Sequence, residues 1–152
     1  MFTEANNHRM STARAAAERL AVIGQDLDIS RKDALAAVER VADHLKLNEN
    51  DLHLLRIFAA LTKPQDWRAG SRPIAWPTNE QLLDVTGFTR AALNRHVTTL
   101  IGAGLLSIKE SASGERWGVR DSNGNIVEAY GFDLSPLAAR TADLEWIAEG
   151  LD

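Results

Sequence analysis

The sequence predicts a mainly α-helical chain with a small β-hairpin or sheet near its C-terminal end, on three observations. Apolar residues recur at helical spacing over most of the first hundred positions, two capped helices flank a glycine turn between residues 78 and 101, and beyond Gly104 the apolar period falls to 2. A chain of 152 residues is long enough to bury a core without disulfide or metal staples.

Residues 1–10 carry no anchoring pattern and are expected to form a flexible terminus, with residues 11–152 forming one domain. An Ala-rich helix is expected from Ser11 to Ile23, ended by Gly24. Ser30, with Asp33 three places on, caps a second helix on which Ala34, Leu35, Val38, Val41, Ala42 and Leu45 follow at helical spacing. Asn48 caps a third, whose Leu52, Leu55, Phe58 and Leu61 repeat every three residues until Pro64 and the loop KPQDWRAGSRP end it. Pro73 and Pro77 then bracket a short extended segment. Thr78 and Gln81 form a capping box that opens the two-turn helix NEQLLDVTG; Gly87 closes it and Thr89 caps the next. Two helices joined this way over residues 78–101 make a helix-turn-helix, whose second helix commonly enters a DNA groove.

On that second helix, at 100° per residue, Leu93, Val97 and Leu100 fall within about 40° of one direction, while Arg95 and Thr98 point nearly opposite. The candidate recognition surface is therefore Arg90, Asn94, Arg95, Thr98 and Thr99. Arg95 suits guanine and Asn94 suits adenine, each good bidentate pair contributing about 1 to 3 kcal/mol of discrimination. Arg90, Thr98 and Thr99 suit phosphates or thymine methyls. The plain alternative is a solvated helix face, which needs polar groups in any case.

Past Gly104, Leu106 and Ile108 share a face, as do Trp117 and Val119 across a turn at Ser113-Gly114, so one side of a hairpin is expected to be apolar. Lys109, Arg116 and Arg120 fall on the other side, placed to meet phosphates or a minor groove, although Glu110 and Glu115 beside them oppose this. Asn123-Gly124 supplies a tight turn before the strand IVEAYGF. Ser135 and Pro136 begin a final helix over residues 136–149, with Leu137, Thr141, Leu144 and Ala148 on one side. Helices, a short strand, a helix-turn-helix, a wing over residues 105–132 and a last helix together read as a winged helix-turn-helix with helical additions at both ends.

The net charge is −4, but its distribution favours one region. Residues 63 to 120 hold eight Lys or Arg against five acids, giving +3 there and leaving −7 for the rest. With a Debye length of about 8 Å, local charge outweighs the distant total.

Other classes are disfavoured. The absence of cysteine removes thiol catalysis and Cys-ligated zinc and fits a reducing, cytoplasmic setting. His44 and His53 lie on expected helices without a ligand at i+4, so no metal or other cofactor is expected. Glu110 and Glu115, the nearest thing to a carboxylate pair, flank an exposed turn, and no glycine-rich phosphate loop occurs, so an enzyme is not expected. No apolar run reaches the roughly 20 residues of a membrane span. Arg68 and Arg72 fit pairing with nearby acids better than phosphate contact. Trp67, Trp76, Trp117 and Trp146, one per element, fit packing better than base stacking.

The stretches RPIAWPTNEQL, TRAALNRHVTTLIGAGLL and SASGERWGVRDSNGNIVEAYGFDLSPLAAR resemble the N-terminal domain of replication protein C, the initiator of repABC-type bacterial plasmids. GFDLSPL at residues 131–137 is the most specific part, and the resemblance covers roughly residues 30–150. It implies a winged-helix domain that binds double-stranded DNA at a plasmid replication origin and helps start replication, with recognition residues Arg90, Asn94, Arg95, Thr98 and Thr99 and a wing on residues 107–120. The family's wing turn usually reads closer to SPNGKR than to SASGER, and its members continue into a second domain. The competing readings are a protein-interaction module that binds a partner or itself, and a winged-helix transcription regulator. If four basic side chains met phosphates, log K would fall against log salt with a slope near −3.6, at about 0.9 per contact.

Overall fold

Side-chain caps set the helix starts where the sequence places them. The computed structural model describes the backbone of residues 4–151, with side chains from residue 10 onward. Its order is α1 (Glu4–Gly24), α2 (Arg31–Val41), α3 (Glu49–Ala60), a 3-10 turn (Pro64–Trp67), β1 (Ile74–Ala75), α4 (Asn79–Thr86), α5 (Arg90–Gly102), β2 (Ser107–Lys109), β3 (Trp117–Arg120), β4 (Ile126–Asp133) and α6 (Ser135–Leu151). Ser30 accepts the Asp33 N–H, and Asn48 with Asp51 and Thr78 with Gln81 form reciprocal capping boxes. Between α4 and α5, Gly87 takes φ 71°, a left-handed conformation that suits glycine, and donates to the Leu83 carbonyl at 2.8 Å. Thr89 then caps α5 by accepting the Ala92 N–H at 3.1 Å.

Two expectations are corrected here. Helix α1 begins at Glu4 rather than Ser11, so the stretch expected to be flexible is helical from that point. Its Glu4, Ala5, Arg9 and Met10 are good helix formers, and no proline or glycine interrupts them. Residues 1–3 lie outside the described residues.

The second correction concerns strand pairing. Strand β4 is the hub of an antiparallel sheet: β1 and β2 flank its C-terminal half, with Ile74 and Ser107 both opposite Asp133. Strand β3 pairs with the N-terminal half, Trp117 opposite Tyr130 and Val119 opposite Glu128. The expected hairpin across Ser113-Gly114 does not form. The hairpin is β3–β4, turning at Asn123-Gly124, and residues 110–116 leave the ladder as a loop. A strong Asn-Gly signal gives β3 its nearest partner, and the three-residue β2 takes the far end of β4.

That register also reverses the expected faces of β3. Trp117 and Val119 are 38% and 49% exposed, whereas Gly118, Arg116 and Arg120 turn inward. Trp76 dictates the choice at Gly118, because a Cβ there would lie 2.6 Å from the indole ring.

The core joins α3, α5, α6 and the sheet through Leu54, Leu55, Phe58, Leu93, Leu100, Leu106, Phe132 and Leu137, with α1 and α2 packed on α6. The Phe58 and Phe132 rings stack at 4.2 Å. The element order and pairing are compatible with a winged helix.

Helix α1 meets α6 at Gly24, where an added Cβ would lie 1.9 Å from the Ser135 carbonyl oxygen. Gly24→Ala should cost about 1 to 3 kcal/mol through overpacking against backbone. Gly102→Ala, with open space around it, should stabilise by up to about 1 kcal/mol. Thermal unfolding of the two variants checks the opposite signs.

Candidate nucleic-acid interface

Helix α5 is seated by one face and open on the other. Leu93, His96, Leu100 and Ile101 are buried, while Arg90, Asn94, Arg95 and Thr99 are exposed and Thr98 is half-buried. The Thr99 hydroxyl donates to the Arg95 carbonyl at 3.0 Å, which keeps it on the helix. Among the described residues, neither the Arg90 nor the Arg95 guanidinium has a hydrogen-bond or ion-pair partner.

His96 is a residue that the sequence reading passed over. It falls on the apolar side of α5, and its Nδ1 lies 2.6 Å from Asp51 Oδ1 with both side chains buried. Asp51 Oδ2 meanwhile accepts the Asn48 N–H at 2.9 Å, so one carboxylate caps α3 and holds α5. The Phe88 ring, in the α4–α5 turn, packs on His96 at 4.8 Å. The available signal was a histidine amid an apolar stripe, since a buried polar ring needs a partner.

Beside α5 runs an open groove of about 630 Å³ between Thr78, Asn79 and Glu80 at the start of α4, Arg90, and Gly114–Arg116. The segment bordering α5 is thus the loop of residues 110–116 and not the β3–β4 turn. Ser111 Oγ donates to the Glu115 carbonyl at 2.7 Å and the Glu115 N–H reaches Ser113 Oγ at 3.3 Å, which gives the loop its own internal bonds. Glu80 and Glu115 line the groove with Arg90.

The three basic residues expected on the wing are placed differently from one another. Arg116 donates to the Pro77 carbonyl at 3.0 Å and Asn79 Oδ1 at 2.9 Å, and lies 4.3 Å from the Phe132 ring centroid. Burial pulls its pKa below the ordinary arginine value. Arg120 forks onto both oxygens of Asp66 at 2.8 Å, donates to the Gly124 carbonyl and lies over Trp76. The hydrogen bonds that Arg120 donates to Asp66 raise its pKa against the opposing effect of burial. Lys109 is half-buried, with Nζ 4.9 Å above the Tyr130 ring. Gln65 Nε2 also bonds the Asn123 carbonyl and Asn125 Oδ1, so the hairpin turn is fastened to the 3-10 turn.

GFDLSPL is a packing motif. A Cβ at Gly131 would come 2.2 Å from the Ala75 carbonyl oxygen, so only glycine lets β1 pass. Asp133, fully buried, accepts Arg72 Nε at 2.9 Å on one oxygen and the Ser135 N–H at 2.9 Å on the other. Arg72 thus pairs with an acid, as its loop position suggested, whereas Arg68 is exposed. Trp67 is buried and donates to Thr62 Oγ1 at 3.0 Å, and Trp76 packs under β3. Trp117 and Trp146 are exposed, Trp146 by 74%. His44 and His53 are both exposed, and no group of His, Cys, Asp and Glu among the described residues is arranged to hold a metal. No helix among them is long and apolar enough to cross a membrane.

Arg120→Ala would strand the buried Asp66 carboxylate, so it should lower stability by about 3 to 5 kcal/mol. Arg95→Ala, on an open surface, should change it by less than about 0.5 kcal/mol. Urea unfolding of both variants distinguishes the engaged arginine from the free one.

Comparison with known proteins places the chain. The family model for the replication protein C N-terminal domain matches residues 8–152. A protein named as a replication protein C from Rhizobium rhizogenes is 37% identical over 119 residues, covering 78% of this chain and 28% of that protein. Another, from Sinorhizobium fredii, is 45% identical over 76 residues, covering 49% of this chain and 19% of that protein. The chain therefore spans less than a third of the length of these relatives. No solved structure matches it. On the match of the family model over residues 8–152, the chain belongs to the replication protein C N-terminal domain family.

Proposed function

We propose that this chain is a sequence-specific double-stranded DNA-binding domain of winged-helix type, which recognises a plasmid replication origin and contributes to starting replication. The observation that carries the reading is the division among six arginines from Arg72 to Arg140. Arg72, Arg116, Arg120 and Arg140 bond protein groups, while Arg90 and Arg95 stand exposed and unpaired on α5 beside the exposed Asn94. Both guanidiniums are solvated and tied to no protein group, so they are free to meet an anionic partner. Membership of the family supports the same reading.

In this account α5 enters the major groove, which is wide enough to admit a helix. Arg95 pairs with guanine O6 and N7, Asn94 with adenine N6 and N7, and Thr98 and Thr99 meet a thymine methyl or a phosphate. Arg90 and Lys109 meet backbone phosphates on either side. The loop of residues 110–116 follows the backbone beside α5, with Glu80 and Glu115 weakening non-specific attraction there. Arg116 and Arg120 contribute by holding β3 and the hairpin turn in place. The chemistry calls on no catalytic group and no cofactor.

A protein-interaction role is the second reading, favoured by the exposed Trp117 and Val119 on the outer side of the hairpin. Equal binding to an origin duplex and a scrambled one at about 0.15 M salt would favour it.

With Arg90 and Lys109 as the phosphate contacts, log K for the origin duplex should fall against log salt with a slope near −1.8, from about 0.9 per contact. Arg95→Ala should lose about 1 to 3 kcal/mol of discrimination between origin and scrambled duplex. Fluorescence anisotropy over a salt series measures both; a slope of zero, or undiminished discrimination by Arg95→Ala, contradicts the reading.

A further inference from the structure

Base recognition by α5 makes no direct use of its one buried titratable side chain, His96, or of the carboxylate that holds it. Yet this pair is the directional contact between α5 and the body of the protein. Leu93, Leu100 and Ile101 seat the helix through apolar contacts, which resist separation but fix neither rotation nor sliding closely, because burial of apolar surface is non-directional. The bond between His96 Nδ1 and Asp51 Oδ1, 2.6 Å long and buried at both ends, is directional, and a charged acceptor makes it stronger than a neutral one.

Each partner is itself fixed. The Asp51 N–H donates to Asn48 Oδ1 at 2.8 Å while Asp51 Oδ2 accepts the Asn48 N–H, so the carboxylate is clamped at the first turn of α3. The His96 ring packs against Phe88 at 4.8 Å, and Phe88 meets His53 of α3 edge-on at 6.4 Å. His96 lies on the same helix one and two residues after Arg95 and Asn94, so a small roll of α5 about its axis redirects both. Bidentate reading of a base tolerates roughly 0.5 Å and 10 to 20° of misplacement.

We propose that Asp51, acting through His96, is a positioning residue for base recognition: the bond locks the rotation and axial setting of α5 at which Asn94 and Arg95 meet base edges together. This rests on the DNA-binding reading above. The bond governs discrimination above all, because bidentate base contacts need α5 closely set, whereas the long exposed side chain of Arg90 can follow a phosphate through a small helix shift and Lys109 lies on β2, outside α5.

The test measures affinity for origin and scrambled duplexes for the wild type, His96→Leu, Asp51→Ala and the double variant, below the unfolding range of each. His96→Leu and Asp51→Ala should each reduce the ratio of specific to non-specific affinity about tenfold, with non-specific affinity and salt slope unchanged. Since the two residues act as one unit, the double variant should lose no more than either single one. His96→Asn, whose amide offers a donor near the position of Nδ1, should recover most of the ratio. His96→Gln, whose amide lies one bond further out, should not, and this pair carries the test if His96→Leu does not fold. Failure of the wild type to discriminate would sink the DNA-binding reading itself. A discriminating wild type matched by a folded His96→Leu, additive losses in the double variant, or no rescue by His96→Asn relative to Gln would overturn the positioning role.

Discussion

A carboxylate taken out of water costs several kcal/mol unless a partner meets it, and three such groups organise this protein. Asp51, Asp66 and Asp133 are each at most 3% exposed. Their partners, His96, Arg120 and Arg72, come from 45, 54 and 61 residues away in sequence. The first ties α3 to α5, the second ties the hairpin to the 3-10 turn after α3, and the third ties the loop before β1 to the end of β4. Removing any one partner leaves an uncompensated charge in the core, so the three pairs add directional contacts between elements that the apolar core also joins.

The same constraint decides which cations remain for a partner. Arg72 and Arg120 are consumed by buried acids, and Arg116 by the carbonyl of Pro77 and the side chain of Asn79. What is left on α5 is sparse: Arg90 and Arg95 are exposed there, with Glu80 and Glu115 lining the groove at Arg90. A face with so little excess charge binds any duplex weakly through phosphates. On the proposed reading its affinity therefore leans on base contacts, and the exact setting of α5 matters more than it would on a strongly basic surface.

Much of this was legible in the sequence where the cause is local. Ser30, Asn48, Thr78 and Thr89 cap the helices they precede, and Gly87 marks the turn of the helix pair, because caps and turns are decided within four residues. The polar side of α5 was readable from its 3.6-residue period. The strands were harder. Alternation over Trp117–Arg120 says that two faces differ but not which one turns inward, and that choice rests on Trp76 and on Asp66, 54 residues earlier. Placing Arg116 and Arg120 outward was the natural reading of their charge, and long-range pairing reversed it. His96 escaped notice for the same reason, since its partner lies in another helix. The early start of α1 was not legible, because Asn6, Asn7 and His8 are weak helix formers standing between the stronger Glu4, Ala5, Arg9 and Met10.

The central claim is that the open side of α5, and not the hairpin's apolar outer side, meets DNA. The most direct measurement is an NMR titration of the isotope-labelled protein with an origin duplex, following arginine Nε–H and tryptophan indole resonances together. The account predicts large shifts for Arg90 and Arg95, with Arg72 and Arg120 and the indoles of Trp117 and Trp146 nearly still. Shifts concentrated at Trp117 or Trp146, with Arg90 and Arg95 unmoved, would contradict it.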